Sequence, residues 1–250
     1  MKLAFKRLAI SDYTRSCALK RFPDLEIQTV DLALDPEFHR LEDLSDLVNW
    51  QPGLFFTAID GSYQGITDKV ILHVGRMETN EQYKGQDHLI EAFPTIAEVH
   101  PTSQLVLVGD GSDAPRLQAL ARALSPDLQA RVFMPGFISN EMLDQLYKAC
   151  YLFAMPSTGE GFGLVYLEAM ARAKPCLGGK LDAAPYVIRD GITGVLVDDP
   201  RSPAQIAEKI IELLDSPNRA REMGEEGYEL VRSYYLFPHF KERLCKALEI

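Results

Sequence analysis

The sequence predicts an α/β protein, a Rossmann-like open parallel sheet with helices on both faces. Two observations carry this. From Lys69 onward short apolar runs alternate with amphipathic stretches, the pattern of right-handed βαβ units. The short runs end at glycine or proline, as in Val70–Val74 before Gly75 and Tyr151–Met155 before Pro156, which is how buried parallel strands read. In such sheets ligands bind outside the carboxyl ends of the strands, so Arg76, Lys84, Gly109, Gly111, Phe137 and Glu160 are expected on one rim.

In chain order, a short strand is expected around Leu8–Ile10, then a helix capped by Ser11 and running to Lys20. Residues 27–34 read as extended and stop at Asp35–Pro36. Residues 36–66, with Pro52–Gly53 and Gly61 to Gly65, read as a loosely structured connector. Strand Val70–Val74 leads through Gly75–Arg76 and Tyr83–Lys84–Gly85 to a helix from Gln86 to His100, which Pro94 should kink or interrupt. Leu105–Val108, Val132–Met134, Pro175–Leu177 and Val195–Val197 are the further strands. Helices are expected over Ala114–Leu124, from Ser139 or Asn140 to Cys150, from Pro203 to Asp215, and over Arg219–Tyr234 and Pro238–Leu248.

The segment most loaded with chemistry is Pro156 to Arg172, a Gly-rich loop that runs into an apolar helix starting near Leu164. The start of such a helix directs unpaired N–H groups and positive dipole charge at whatever lies over the loop, which favours phosphate. Glu160 precedes the helix and Glu168 sits inside its apolar run, where a carboxylate needs donors or a cation. The residues alone leave other readings open. Glu168 and Arg172 stand at i,i+4 and suit an ion pair, and Glu160, Arg76 and Lys84 suit a solvated surface. Gly109–Asp110–Gly111 suits a plain strand-to-helix turn, and Phe137–Ile138 suits packing.

The string Glu160-Gly-Phe-Gly-Leu-Val-Tyr-Leu-Glu168 resembles the E-x7-E signature of family 4 (group 1) of the retaining glycosyltransferases, which have the GT-B fold. Gly75-Arg76-x7-Lys84-Gly85-x3-Leu-Ile-Glu-Ala-Phe93 is similar to that family's phosphate-binding segment. The resemblance implies that Glu160 lies beside a donor sugar, that the backbone of Phe162, Gly163 and Leu164 contacts sugar and diphosphate, and that Glu168 binds ribose hydroxyls. It implies further donor contacts at Gly75, Arg76, Lys84, Gly109, Phe137 and Ile138, the last two flanking the base. Where the family tends to have a Gly-Gly-x-Pro-Glu turn, this chain has Gly178-Gly179-Lys-Leu-Asp-Ala-Ala-Pro185.

The resemblance covers mainly the C-terminal, donor-binding half. It implies a remnant of the N-terminal acceptor domain plus connector over residues 1–62, the donor-binding Rossmann-like domain over 63–235, and a C-terminal helix over 236–250 that crosses back to the N-terminal domain. Without that domain the helix would expose an apolar patch or drive self-association. The implied reaction transfers a sugar from a nucleoside-diphosphate sugar to an unidentified acceptor hydroxyl with retention, with Arg76, Lys84 and Glu160 at the reacting centre. The alternative is a nucleotide-sugar binding module without transfer.

Composition sets outer bounds. Of 250 residues, 46% are hydrophobic and 25% charged, ordinary for a globular chain with a sizeable core. A net charge of −10 argues against nucleic acid and anionic membranes as partners. Cys17, Cys150, Cys176 and Cys245 are widely spaced and read as reduced. With no apolar run long enough for a signal peptide or membrane span, a cytoplasmic protein is expected. No Asp-x-Asp occurs, so neither a divalent metal nor another cofactor is expected beside the donor substrate.

Overall fold

A computed structural model of the chain describes residues 6–35, 41–48 and 53–250. Residues 36–40 and 49–52 of the expected connector lie outside the described residues. Strands β1 (Leu8–Ala9) and β2 (Gln28–Thr29) pair in parallel around helix α1 (Asp12–Arg21), whose N-terminus carries the expected Ser11 cap. After α2 (Leu44–Val48), strands β3 (Phe55–Thr57) and β4 (Tyr63–Gly65) form an antiparallel hairpin within the span read as a loose connector. Its turn signal, Asp60–Gly61, was in the sequence: Gly61 adopts φ +88°, and Asp60 accepts hydrogen bonds from Ser62 N–H and Oγ.

The main sheet follows, with β5 (Val70–Val74), α3 (Gln86–Val99), β6 (Gln104–Val108), α4 (Ala114–Arg122), α5 (Pro126–Gln129), β7 (Val132–Gly136) and α6 (Asn140–Ala149). The second half holds β8 (Leu152–Met155), α7 (Leu164–Met170), β9 (Cys176–Gly179), α8 (Ala184–Val187), β10 (Gly194–Val197), α9 (Pro203–Asp215), α10 (Pro217–Leu230) and α11 (Phe237–Leu248). One π-helical turn, Val231–Tyr235, links the last two helices. The six strands are all parallel in the order β10-β9-β8-β5-β6-β7. The chain therefore builds outward from β5 through β7, returns, and builds the other way from β8. Ligands in open sheets favour the crevice at this reversal, between the carboxyl ends of β5 and β8.

Side chains of each strand alternate between two cores. Leu72, Val106, Phe133 and Phe153 face Tyr147, Tyr166, Leu167 and Val231, whereas Ile71, Leu105, Leu107 and Leu152 face Leu89, Phe93, Leu117, Ile206 and Ile210. Each such aliphatic or aromatic side chain contributes about 1.5–3 kcal/mol on burial. Pro94 does not interrupt α3, which continues from Gln86 to Val99 around it. Its missing hydrogen bond is offset by the buried stripe of Leu89, Ile90, Phe93, Ile96 and Ala97. The stretch at residues 27–34 keeps only Gln28 and Thr29 as strand, because β2 pairs solely with the two-residue β1.

Candidate functional site

The crevice is assembled by two loops. After β5 the chain runs through Gly75 and Arg76 to a single 3-10 turn, Gln82–Lys84, that feeds α3. After β8 it runs through Pro156 to Gly163 into α7. Thr158 N–H donates to the Tyr83 carbonyl at 2.9 Å, tying the loops across the reversal. Gly85 has φ +76°, and a Cβ there would sit 2.5 Å from the Pro156 oxygen, so only glycine permits this approach. Buried Gln86 donates to the Arg76 carbonyl at 3.1 Å and holds that turn against the helix.

Lys84 Nζ lies 3.5 Å from Glu81 and 3.8 Å from Glu160, and Arg76 also pairs with Glu81. Glu81 thus bridges both cations, an assignment the sequence did not offer, while Glu78 accepts from Ser112 N–H and Oγ. Arg76 is otherwise exposed, its side chain 72% accessible, and Lys84 is largely covered. Gly109 belongs to the same rim: its Cβ would lie 2.0 Å from the Gly75 carbonyl oxygen. His73, one residue inside β5, is fully buried and donates from Nδ1 to the Ala154 carbonyl at 3.0 Å. Burial, with the Lys84 charge nearby, lowers its pKa from 6.5 to about 4, so the ring is neutral.

Glu160 is held from below. Its N–H donates to Asp182 and its carbonyl accepts from Ala183 N–H, while its own carboxylate accepts from Gly161 N–H at 3.2 Å. Gly163 has φ +87° and abuts the Tyr166 ring, where a Cβ would come within 2.5 Å. Phe162 is buried edge-on against Tyr235, so its side chain faces the core and its backbone faces the loop. Ser11 closes the loop from outside, donating from Oγ to the Gly161 carbonyl at 2.7 Å.

Glu168 lies one turn along α7 and accepts from Tyr147 Oη at 2.7 Å. Burial, and then the neighbouring Glu168 charge, pushes the Tyr147 hydroxyl well above its ordinary pKa and keeps it a donor. Arg172 makes its bonds to Asp144 through Nε at 2.7 Å and through Nη2. Glu168 and Leu164 line a cavity of about 350 Å³ with Leu34, Asn140 and Leu143. The geometry therefore gathers Gly75, Arg76, Lys84, Gly109 and Glu160 at the crevice, and places Leu164 and Glu168 along an adjoining cavity.

Phe137 and Ile138 follow Gly136, whose carbonyl accepts from Gly109 N–H at 3.0 Å, so they flank the rim on its β7 side. Phe137 is 86% exposed just beyond β7, and Ile138 turns toward a cavity of about 630 Å³ under the β3–β4 hairpin, with Met134 and Met142. Asp182, Ser157, Tyr147 and Glu81 are the side chains that sequence reasoning did not select. Only Asp182 carried a signal, as the acid in the lengthened segment after Gly178–Gly179. Among the described residues, no three His, Cys, Asp or Glu side chains are grouped so as to hold a metal ion, and no helix is long and apolar enough to cross a membrane.

The family model for glycosyl transferases group 1 matches residues 63–230. The chain belongs to the group 1 glycosyltransferases. It is 33% identical over 173 residues to the GDP-mannose-dependent monoacylated alpha-(1-6)-phosphatidylinositol monomannoside mannosyltransferase of Corynebacterium glutamicum, covering 66% of this chain and 44% of that protein. It is 28% identical over 249 residues to the alpha-maltose-1-phosphate synthase of Mycolicibacterium smegmatis, covering 94% of this chain and 60% of that one. The chain thus spans about half the length of these relatives. Among solved structures, Anabaena HepE in complex with UDP and glucose superposes with a TM-score of 0.79 at 21% identity, over 98% of this chain and 63% of that one. Sucrose-phosphate synthase from Thermosynechococcus elongatus gives 0.76 at 24% identity, over 97% and 57%. These likenesses establish the GT-B type of fold.

Proposed function

We propose that this glycosyltransferase chain is a donor half: it binds a nucleoside-diphosphate sugar in the β5/β8 crevice and presents the sugar for transfer, with retention, to an acceptor hydroxyl. The observation that carries the reading is the meeting of Arg76, Lys84 and Glu160 at the sheet reversal, although Arg76 and Glu160 come from opposite halves of the sheet. As the glycosidic bond breaks, negative charge grows on the departing diphosphate. Lys84, nearly covered and so poorly screened, and Arg76 at the rim stabilise that charge as protein cations, without a metal ion. Glu160 positions the sugar and favours its positive character in the transition state. Glu168, oriented by Tyr147, accepts hydrogen bonds from ribose hydroxyls in the adjoining cavity.

Calorimetry with UDP, GDP and ADP and their sugar forms, with and without EDTA, tests the reading. One diphosphate is expected to bind equally well in EDTA, and Lys84→Ala and Glu168→Ala are each expected to weaken it tenfold or more, about 1.4 kcal/mol. A folded chain that binds none of the panel would sink the proposal. Binding without turnover on any hydroxyl acceptor would leave a nucleotide-sugar binding module in its place.

A further inference from the structure

We infer that Asp182 is the positioning residue of this site, setting through the backbone where the Glu160 carboxylate meets the donor sugar. The inference rests on the donor-site reading given above. Asp182 is 2% exposed, and among the described residues no lysine or arginine pairs with it. Neutral donors alone satisfy it: Oδ2 accepts from Ser157 Oγ at 2.6 Å and from Glu160 N–H at 2.8 Å, and Oδ1 accepts from Ala184 N–H at 2.9 Å. The next residue completes the grip, since Ala183 N–H donates to the Glu160 carbonyl at 3.1 Å. Both backbone polar groups of Glu160 are therefore bonded to residues 182 and 183.

A carboxylate withdrawn from water and left without a cation is expensive unless its oxygens are filled, and here three donors fill them. Two loops that follow neighbouring strands, β8 and β9, converge on this one side chain. Burial raises the Asp182 carboxyl above its ordinary pKa, against the pull of its donors. Glu160 gains direction from this arrangement: its own carboxylate is left to Gly161 N–H and to Lys84 at 3.8 Å, facing the crevice rather than the protein interior. The lengthened Lys180–Pro185 segment thereby supplies an acid of its own beneath the first glutamate of the signature.

The test compares affinities for UDP, GDP and ADP with those for UDP-glucose, GDP-mannose and ADP-glucose, measured calorimetrically on the full chain. Asp182→Ala is expected to leave diphosphate affinity within about threefold of wild type and to lower the sugar-nucleotide to diphosphate affinity ratio tenfold or more. Asp182→Asn, which keeps an oxygen for Ser157 and Glu160 but not for Ala184, should lower that ratio only three- to fivefold. In a Glu160→Ala background neither substitution should lower it further, because the effect passes through Glu160. An unchanged ratio in both variants, or the same losses persisting without Glu160, overturns the inference while the donor reading stands. If Asp182→Ala does not fold, Asp182→Asn in the two backgrounds decides by the same readings. A folded wild-type chain that binds no nucleotide ends the donor reading and this inference together.

Discussion

Lys84 sits between two carboxylates, and Glu81 is shared between Lys84 and Arg76. A diphosphate that enters must take these cations from Glu81, so Glu81→Gln should tighten diphosphate binding three- to tenfold and steepen its salt dependence, which titration at several ionic strengths would read. His73 ties stability to acidity. Its folded pKa of about 4 lies below the ordinary 6.5, so between those values the unfolded chain takes up a proton that the folded chain refuses. Stability from this residue is complete above pH 6.5 and falls as pH drops toward 4, by roughly 3 kcal/mol in all. Denaturant melts at pH 7, 5.5 and 4.5 should show this slope, and His73→Gln should flatten it. Residues were legible in proportion to how local their partners are. Arg76, Lys84, Glu160 and Glu168 stand in continuous strings, whereas Tyr147 finds Glu168 across 21 positions and Asp182 finds Glu160 across 22. No periodicity announces such meetings.

At the scale of elements, the crevice depends on turns that tolerate no Cβ. Gly109 combines φ +137° with a virtual Cβ 2.0 Å from the Gly75 oxygen, so Gly109→Ala forces β5 and β6 apart at the ligand rim. A loss of roughly 2–4 kcal/mol is expected in chemical denaturation, with weakened diphosphate binding in the chain that remains folded. By contrast, Gly136→Ala meets open space and carries only the strain of its φ of +72°. Helix α6 is tied to the turn after α7 by Asp144, which Lys148 and Arg172 hold below the ordinary carboxylate range despite its partial burial. Replacing Arg172 by Ala leaves that acid beside one cation instead of two, at a cost of about 3 kcal/mol. The strands and long helices were readable from apolar spacing. The β3–β4 hairpin was not, because its strands are three residues each and only the Asp60–Gly61 turn marks them.

For the molecule as a whole, alternation of strand and helix announced the parallel sheet, and right-handed crossovers fixed each βαβ unit. The direction in which successive units accumulate was not readable, because either side of β5 can accept the next strand; the reversal after β7 emerges from packing. With a formal charge of −10, the chain repels polyanions at long range and attracts them only at the cations it gathers. Diphosphate association should therefore quicken as salt rises, and stopped-flow rates between 20 and 300 mM salt, about a fourfold change in Debye length, would test it. The hydrogen bond from Ser11 to the Gly161 carbonyl spans 150 positions. The same hydroxyl accepts from Thr14 N–H, so one oxygen is both the cap of the first helix and the latch of the glutamate loop. Ser11→Ala should speed amide exchange at Gly161 and Gly163 while leaving β5 and β8 as slow as before. A pull on the opening helix would then be felt, through a single oxygen, as slack in the loop after β8.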